Sequence, residues 1–154
     1  MRPASFERLW IWDRVGDAVP WYRSVASNRM PAKHLIARRI PCAIDLAVAD
    51  EADLWSEHAR LTETFLGRWD AIRRGEVRLA ELRRPEVSLV DLSVELTVRM
   101  LRHCHFCRWD CRVDRVAGAR RGACQLGSVS RVSAYFHHLG EELVFRGTHG
   151  SGTV

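Results

Sequence analysis

Apolar positions recur at two different periods along this chain. From residue 31 to residue 103 the spacing is helical. PAKHLIARRI starts at Pro31 and is followed by Pro41, which suits a helix with proline in its first turn and another just past its end. Leu35, Ile36 and Ile40 would share its apolar face. Leu54, His58, Leu61, Phe65, Trp69 and Ile72 then follow at steps of three and four, the stripe of an amphipathic helix. Asp50 or Asp53 suits its N-cap and Gly75 its end, with Arg73 and Arg74 placed against the negative end of the helix dipole. A further helix is predicted over SLVDLSVELTVRMLRH. Ser88 and Asp91 are spaced as a capping box, Leu89, Leu92, Leu96 and Met100 form the buried stripe, and Val94, Val98 and Leu101 widen it.

Beyond Cys124 the period shortens to two. Val132, Ala134 and Phe136 alternate with Arg131, Ser133 and Tyr135, which predicts a strand. Gly140 allows a turn and Leu143 and Phe145 a return strand, giving a β-hairpin with residues 137–142 near its tip. Thr153 and Val154 look like the first residues of another strand. The expected fold class is α+β, with a helical region over 1–87, a helix and cysteine-rich knuckle over 88–127, and β-strands over 128–154.

Composition adds little to this and excludes some classes. A chain of 154 residues with 47% hydrophobic and 28% charged side chains can bury a core. The Arg-rich stretch 73–84 and the glycine-rich C-terminus are expected to be mobile. No run of 18 apolar residues and no signal-peptide pattern occurs, so a cytoplasmic protein without a membrane span is expected. Trp10, Trp12, Trp21, Phe6 and Tyr22 crowd the first segment and read as core or cover.

Charge is more informative in its distribution than in its sum. The net charge is +5, yet eight arginines against Asp110 and Asp114 give the window 99–131 a charge of +6 and leave −1 for the rest. Such a window could meet nucleic-acid phosphate. It could equally offset thiolates, because four of them around a divalent ion leave a formal charge of −2. The second explanation needs no partner, so nucleic acid is not the expected one.

Those thiolates are the candidate chemistry. Cys104, Cys107, Cys111 and Cys124 are spaced C-x2-C-x3-C-x12-C, four soft ligands within 21 residues. A cytosolic chain with such a cluster is expected to bind metal rather than form disulfides. A C-x2-C pair can turn both sulfurs towards one ion, and Gly118 and Gly122 let the longer loop return to Cys124. Zinc and an iron-sulfur cluster both remain open as occupants. His103 and His105 flank Cys104 as substitute ligands, whereas Cys42 and His58 read as packed side chains. No phosphate-binding glycine loop, H-E-x-x-H or G-x-S-x-G is present.

Residues 88–154 carry a resemblance as well. A helix precedes C-x2-C-x3-C-x-V-x-R, here Cys104, Cys107, Cys111, Val113 and Arg115, followed by Gly118, Gly122 and a fourth cysteine, Cys124. His137, His138, Gly140, Glu141 and Glu142 come next, then Gly150, Ser151, Gly152 and Thr153. This order resembles the N-terminal part of radical SAM proteins of the pyruvate formate-lyase-activating-enzyme-like group. The resemblance implies the start of an α/β barrel, S-adenosylmethionine, and a catalytic [4Fe-4S] cluster held by C-x3-C-x2-C a few residues after G-S-G-T. This chain contains no C-x3-C-x2-C. It is therefore expected to be the front end of a longer enzyme, with a structural metal site, no catalytic residues of its own, and the radical SAM domain or a protein substrate as partner. The alternative is a free-standing zinc module that binds nucleic acid or protein.

Overall fold

The computed structural model describes residues 16–129, 132, 136–138 and 151–153. The chain forms two compact units, one of residues 1–31 with 131–154 and the other of residues 32–130. In the first, helix α1 (Pro20–Ala26) starts on a proline at its first turn, where the missing N–H costs nothing. The same unit holds strands β1 (Phe136–His138) and β2 (Ser151–Thr153), antiparallel, with His137 opposite Gly152. Among the described residues of that segment, Trp21 is half-buried and Tyr22 exposed.

The second unit is helical. Helix α2 (Lys33–Ala37) is short, helix α3 (Glu51–Arg73) is long, a single 3-10 turn covers Leu79–Glu81, and helix α4 (Leu89–Arg102) leads to the cysteines. Asp50 caps α3 by accepting from the Asp53 N–H at 2.8 Å. Gly75, at φ +75°, ends it: its N–H reaches the Ile72 carbonyl and the Glu76 N–H reaches that of Ala71. At the start of α4 the Ser88 N–H donates to the Asp91 carboxylate at 2.8 Å, the return arm of the capping box.

Helices α3 and α4 pack on each other around Ile40, Cys42, Leu54, Leu61, Leu89, Leu92 and Leu96, with Phe65 and Val87 at the margin. Leu89, Leu92 and Leu96 of the predicted α4 stripe are buried and Met100 is half-buried, while of the flanking set Leu101 is half-buried and Val94 and Val98 face solvent. Leu35 is likewise exposed while Ile36 is fully buried. Cys42 belongs to the core, and His58 meets Trp55 edge-on at 5.8 Å. Arg99 fastens α4 to the loop that precedes α3, donating to the carbonyls of Ala49 (2.9 Å) and Leu46 (3.0 Å) while paired with Glu95. Among the described residues no helix is long and apolar enough to cross a membrane.

The expected fold class is corrected by this arrangement. The protein is helical, and the two three-residue strands are the only strands among the described residues. Val132 is exposed and outside any strand, and β1 pairs with 151–153. Residues 143 and 145 lie outside the described residues, and no start of an α/β barrel is seen among the described ones. Phe6, Trp10 and Trp12 also lie outside the described residues.

Candidate thiol knuckle

Helix α4 stops at Arg102 because His103 leaves helical geometry, at φ −142°. The chain then folds back on the helix end. The Cys104 N–H donates to the Val113 carbonyl (3.1 Å) and the Arg112 N–H to the Cys104 carbonyl (2.9 Å), a reciprocal pair that sets Cys104 beside residues 112–113. The Arg115 N–H reaches the Leu101 carbonyl at 2.9 Å, which ties the returning strand of chain to the last turn of α4. Between these anchors the Asp110 N–H closes a turn on the Cys107 carbonyl, and Asp110 and Arg112 take positive φ angles of 38° and 52°.

The longer loop returns by two further devices. The Asp114 carboxylate accepts from the N–H groups of Val116 and Ala117, both at 2.8 Å, and Gly118 takes φ +72°. Gly122 then lies against Cys111: a Cβ built there would stand 3.0 Å from the Cys111 Sγ and 2.8 Å from the Arg115 Nη2. The next residue, Ala123, directs its N–H at the same sulfur at 3.4 Å.

Arg115 is the centre of this corner. It is nearly buried, at 7% exposure, and its Nη1 donates to the Leu126 carbonyl. Its guanidinium lies against the Cys104 and Cys124 thiols, which raise its pKa further above the ordinary value, Cys104 most. In turn the Cys124 thiol is held below the usual thiol range, first by the Leu126 backbone N–H and then by Arg115. Burial pushes the Cys42 thiol up, as befits a core residue.

Of the four expected ligands, Cys104 is buried, Cys111 half-buried, and Cys107 and Cys124 exposed, all as free thiols. Cys104, Cys111 and Cys124 share the Arg115–Gly122 corner, while Cys107 stands at the start of the exposed turn. Among the described residues no three His, Cys, Asp or Glu side chains converge at ligand spacing. The donor chemistry fits a thiophilic ion, but closing sulfurs around one requires the side chains and the 107–110 turn to draw in. The His105 Nδ1 faces the His103 carbonyl at 2.8 Å and its ring stacks on Phe106. The sequence reading missed the part played by Arg115; the signal was the arginine four residues after Cys111.

No protein-family model matches the chain, and no solved structure does. Among curated proteins, uncharacterized protein MJ0674 of Methanocaldococcus jannaschii is 30% identical over 129 residues, a match covering 83% of this chain. That match covers 35% of the relative, so the chain spans about a third of the length of the curated protein it is similar to.

Proposed function

We propose that residues 88–127 are the structural metal-binding portion of a radical SAM protein of the activating-enzyme-like group, with Cys104, Cys107, Cys111 and Cys124 as ligands. The observation that carries the metal reading is the knuckle backbone. Reciprocal hydrogen bonds at Cys104, the Ala123 N–H aimed at the Cys111 sulfur, and a glycine packed on that sulfur gather three cysteines at one corner before any ion is considered. The thiolate is the form that binds metal. Zinc or an iron-sulfur cluster would supply cross-linking of the α4 end to the returning loop, not an open coordination position for catalysis. Ligation at these four positions would tie the α4 end to the returning loop, so metal binding and the stability of that loop are linked. Five free cysteines suit a reducing cytoplasm, where we place the protein.

The radical SAM assignment rests on the order of motifs in residues 88–154, and the partners it implies are a radical SAM domain or a protein substrate. Both parts have direct tests. Elemental analysis of anaerobically purified protein should find zinc, or iron with sulfide, and Cys107→Ser should lower that content while the α3–α4 core keeps its helicity. Full metal retention in Cys107→Ser, or no metal in the unaltered protein after expression with zinc and iron supplied, overturns the site. The parent assignment fails separately if the reading frame following Val154 encodes no C-x3-C-x2-C.

A further inference from the structure

A second concentration of chemistry lies away from the cysteines. The chain leaves α2 through Arg38 and Arg39, and leaves the 3-10 turn through Arg83 and Arg84. These pairs are far apart in sequence, but the backbone joins the segments that follow them. The Cys42 N–H donates to the Val87 carbonyl and the Leu89 N–H to the Ile40 carbonyl, both at 3.0 Å, and Pro41 bridges to Ser88. The clamp borders directly on the core, with Ile40 at 1% and Leu89 at 6% exposure, so the arginine pairs project from a fixed base.

Two open cavities result. One of about 300 Å3 is lined by Arg39, Pro41, Arg83, Pro85 and Glu86. The other, of about 80 Å3, is lined by Leu35, Arg38, Arg39, Leu79 and Arg84, and shares Arg39 with the first. Four arginines and one acidic residue, Glu86, thus line the two cavities, with the Asp91 carboxylate near Arg38 outside the linings. The described ion pairs employ Arg60, Arg73, Arg74, Arg78, Arg99 and Arg112. Arg38, Arg39, Arg83 and Arg84 form none among the described residues.

Like charges held together on a rigid base repel one another, and an anion relieves that repulsion. Guanidinium forks match the oxygens of phosphoryl groups in pairs. The larger cavity is at the small end of the range for ligand sites, room for a small molecule instead of a polymer groove. Two adjoining cavities around a shared arginine suit two linked phosphoryl groups. We propose that Arg38, Arg39, Arg83 and Arg84 bind a small molecule carrying a phosphoryl or diphosphoryl group, independently of the thiol knuckle.

The test is calorimetric titration of the full chain with inorganic pyrophosphate. A single saturable site is expected, weakened about tenfold or more in Arg83→Gln/Arg84→Gln and again in Arg39→Gln, since each removes a charged fork. Arg102→Gln/Arg108→Gln removes the same charge outside the cavities and should leave the affinity within about twofold. Circular dichroism checks that the variants fold, and Arg39→Gln alone carries the comparison should the double variant not fold. Heat that never saturates, equal loss in the control pair, citrate binding as tightly as pyrophosphate, or binding of duplex DNA without binding of pyrophosphate each overturns the proposal.

Discussion

Gly122→Ala is the sharpest probe of the knuckle. The added methyl would lie 2.8 Å from the Arg115 Nη2, 3.0 Å from the Cys111 Sγ and 3.2 Å from the Cys111 Cβ. Favourable carbon contacts begin near 3.5 Å, so each neighbour must retreat by several tenths of an ångström. Neither retreats freely. Arg115 is 7% exposed and bonded to the Leu126 carbonyl, and Cys111 precedes the residue whose N–H is tied to the Cys104 carbonyl. Overpacking of this kind costs about 1–3 kcal/mol. The cost falls on the loop, since the three atoms nearest the new methyl all belong to Arg115 and Cys111. Local opening should therefore become easier by about 5- to 150-fold, taking 1.4 kcal/mol per tenfold. Cys104, 3% exposed, reports it, because a thiol reagent reaches it only through opening, and exposed Cys107 serves as the internal reference. If metal-free Gly122→Ala labels Cys104 no faster than the unaltered protein does, relative to Cys107, the close packing described here is wrong.

Four other outcomes are expected. Leu92 is fully buried between the helices, so Leu92→Ala should lower stability to urea by about 2–5 kcal/mol, read by circular dichroism. Gly67 sits inside α3 with nothing within 4 Å of a built Cβ, so Gly67→Ala should raise stability by about 0.5–1 kcal/mol in the same measurement. The Asp91 carboxyl is held below its ordinary value first by the Ser88 hydroxyl, then by the Ser88 N–H, with Arg38 contributing further. A depressed carboxylate stabilises the folded state above the unfolded value of about 3.9, and that stability is lost as pH falls through the lower folded value. Ser88→Ala should flatten the fall below about pH 4, and an unchanged pH profile would contradict the cap. In metal-free protein Cys124 should be alkylated at lower pH than an ordinary thiol of pKa about 8.5, and Arg115→Gln should move that midpoint upward.

The helical part of the fold was legible because its signals are local. Asp50, Gly75 and the Ser88–Asp91 box act within one turn, and the Leu89, Leu92, Leu96 stripe is fixed by the geometry of a single helix. Errors came where a position depends on what lies opposite. Val94 and Val98 are as apolar as their neighbours, yet nothing covers that flank of α4 among the described residues, and they remain exposed. The partner of β1 is β2, thirteen residues after it, a pairing that alternation within either segment cannot specify. The stretch around Arg73–Arg84, read as mobile from its polarity, carries local ion pairs that its charge count does not reveal. The Arg78 N–H and guanidinium both meet the Glu81 carboxylate, and Arg74 pairs with Asp70 and Glu76.

The basic window shows the same limit at the level of chemistry. In sequence its arginines look equivalent, but the fold gives them unlike tasks. Arg99 fastens α4 to the loop at 46–49, Arg112 pairs with Asp110, and Arg115 faces two thiols from a nearly buried position. Arg108 lies over the Trp109 ring, 5.6 Å from its centroid, on the exposed turn. Arg115 meets the sulfurs from a nearly buried position, where a charge is screened much less than on the surface. Conversely, Arg38, Arg39, Arg83 and Arg84 form a set outside any described ion pair that no window of sequence brings together, because a backbone clamp does so. Counting charge along the chain finds where arginines are frequent, whereas the electrostatic work depends on where two distant segments share a hydrogen-bonded edge.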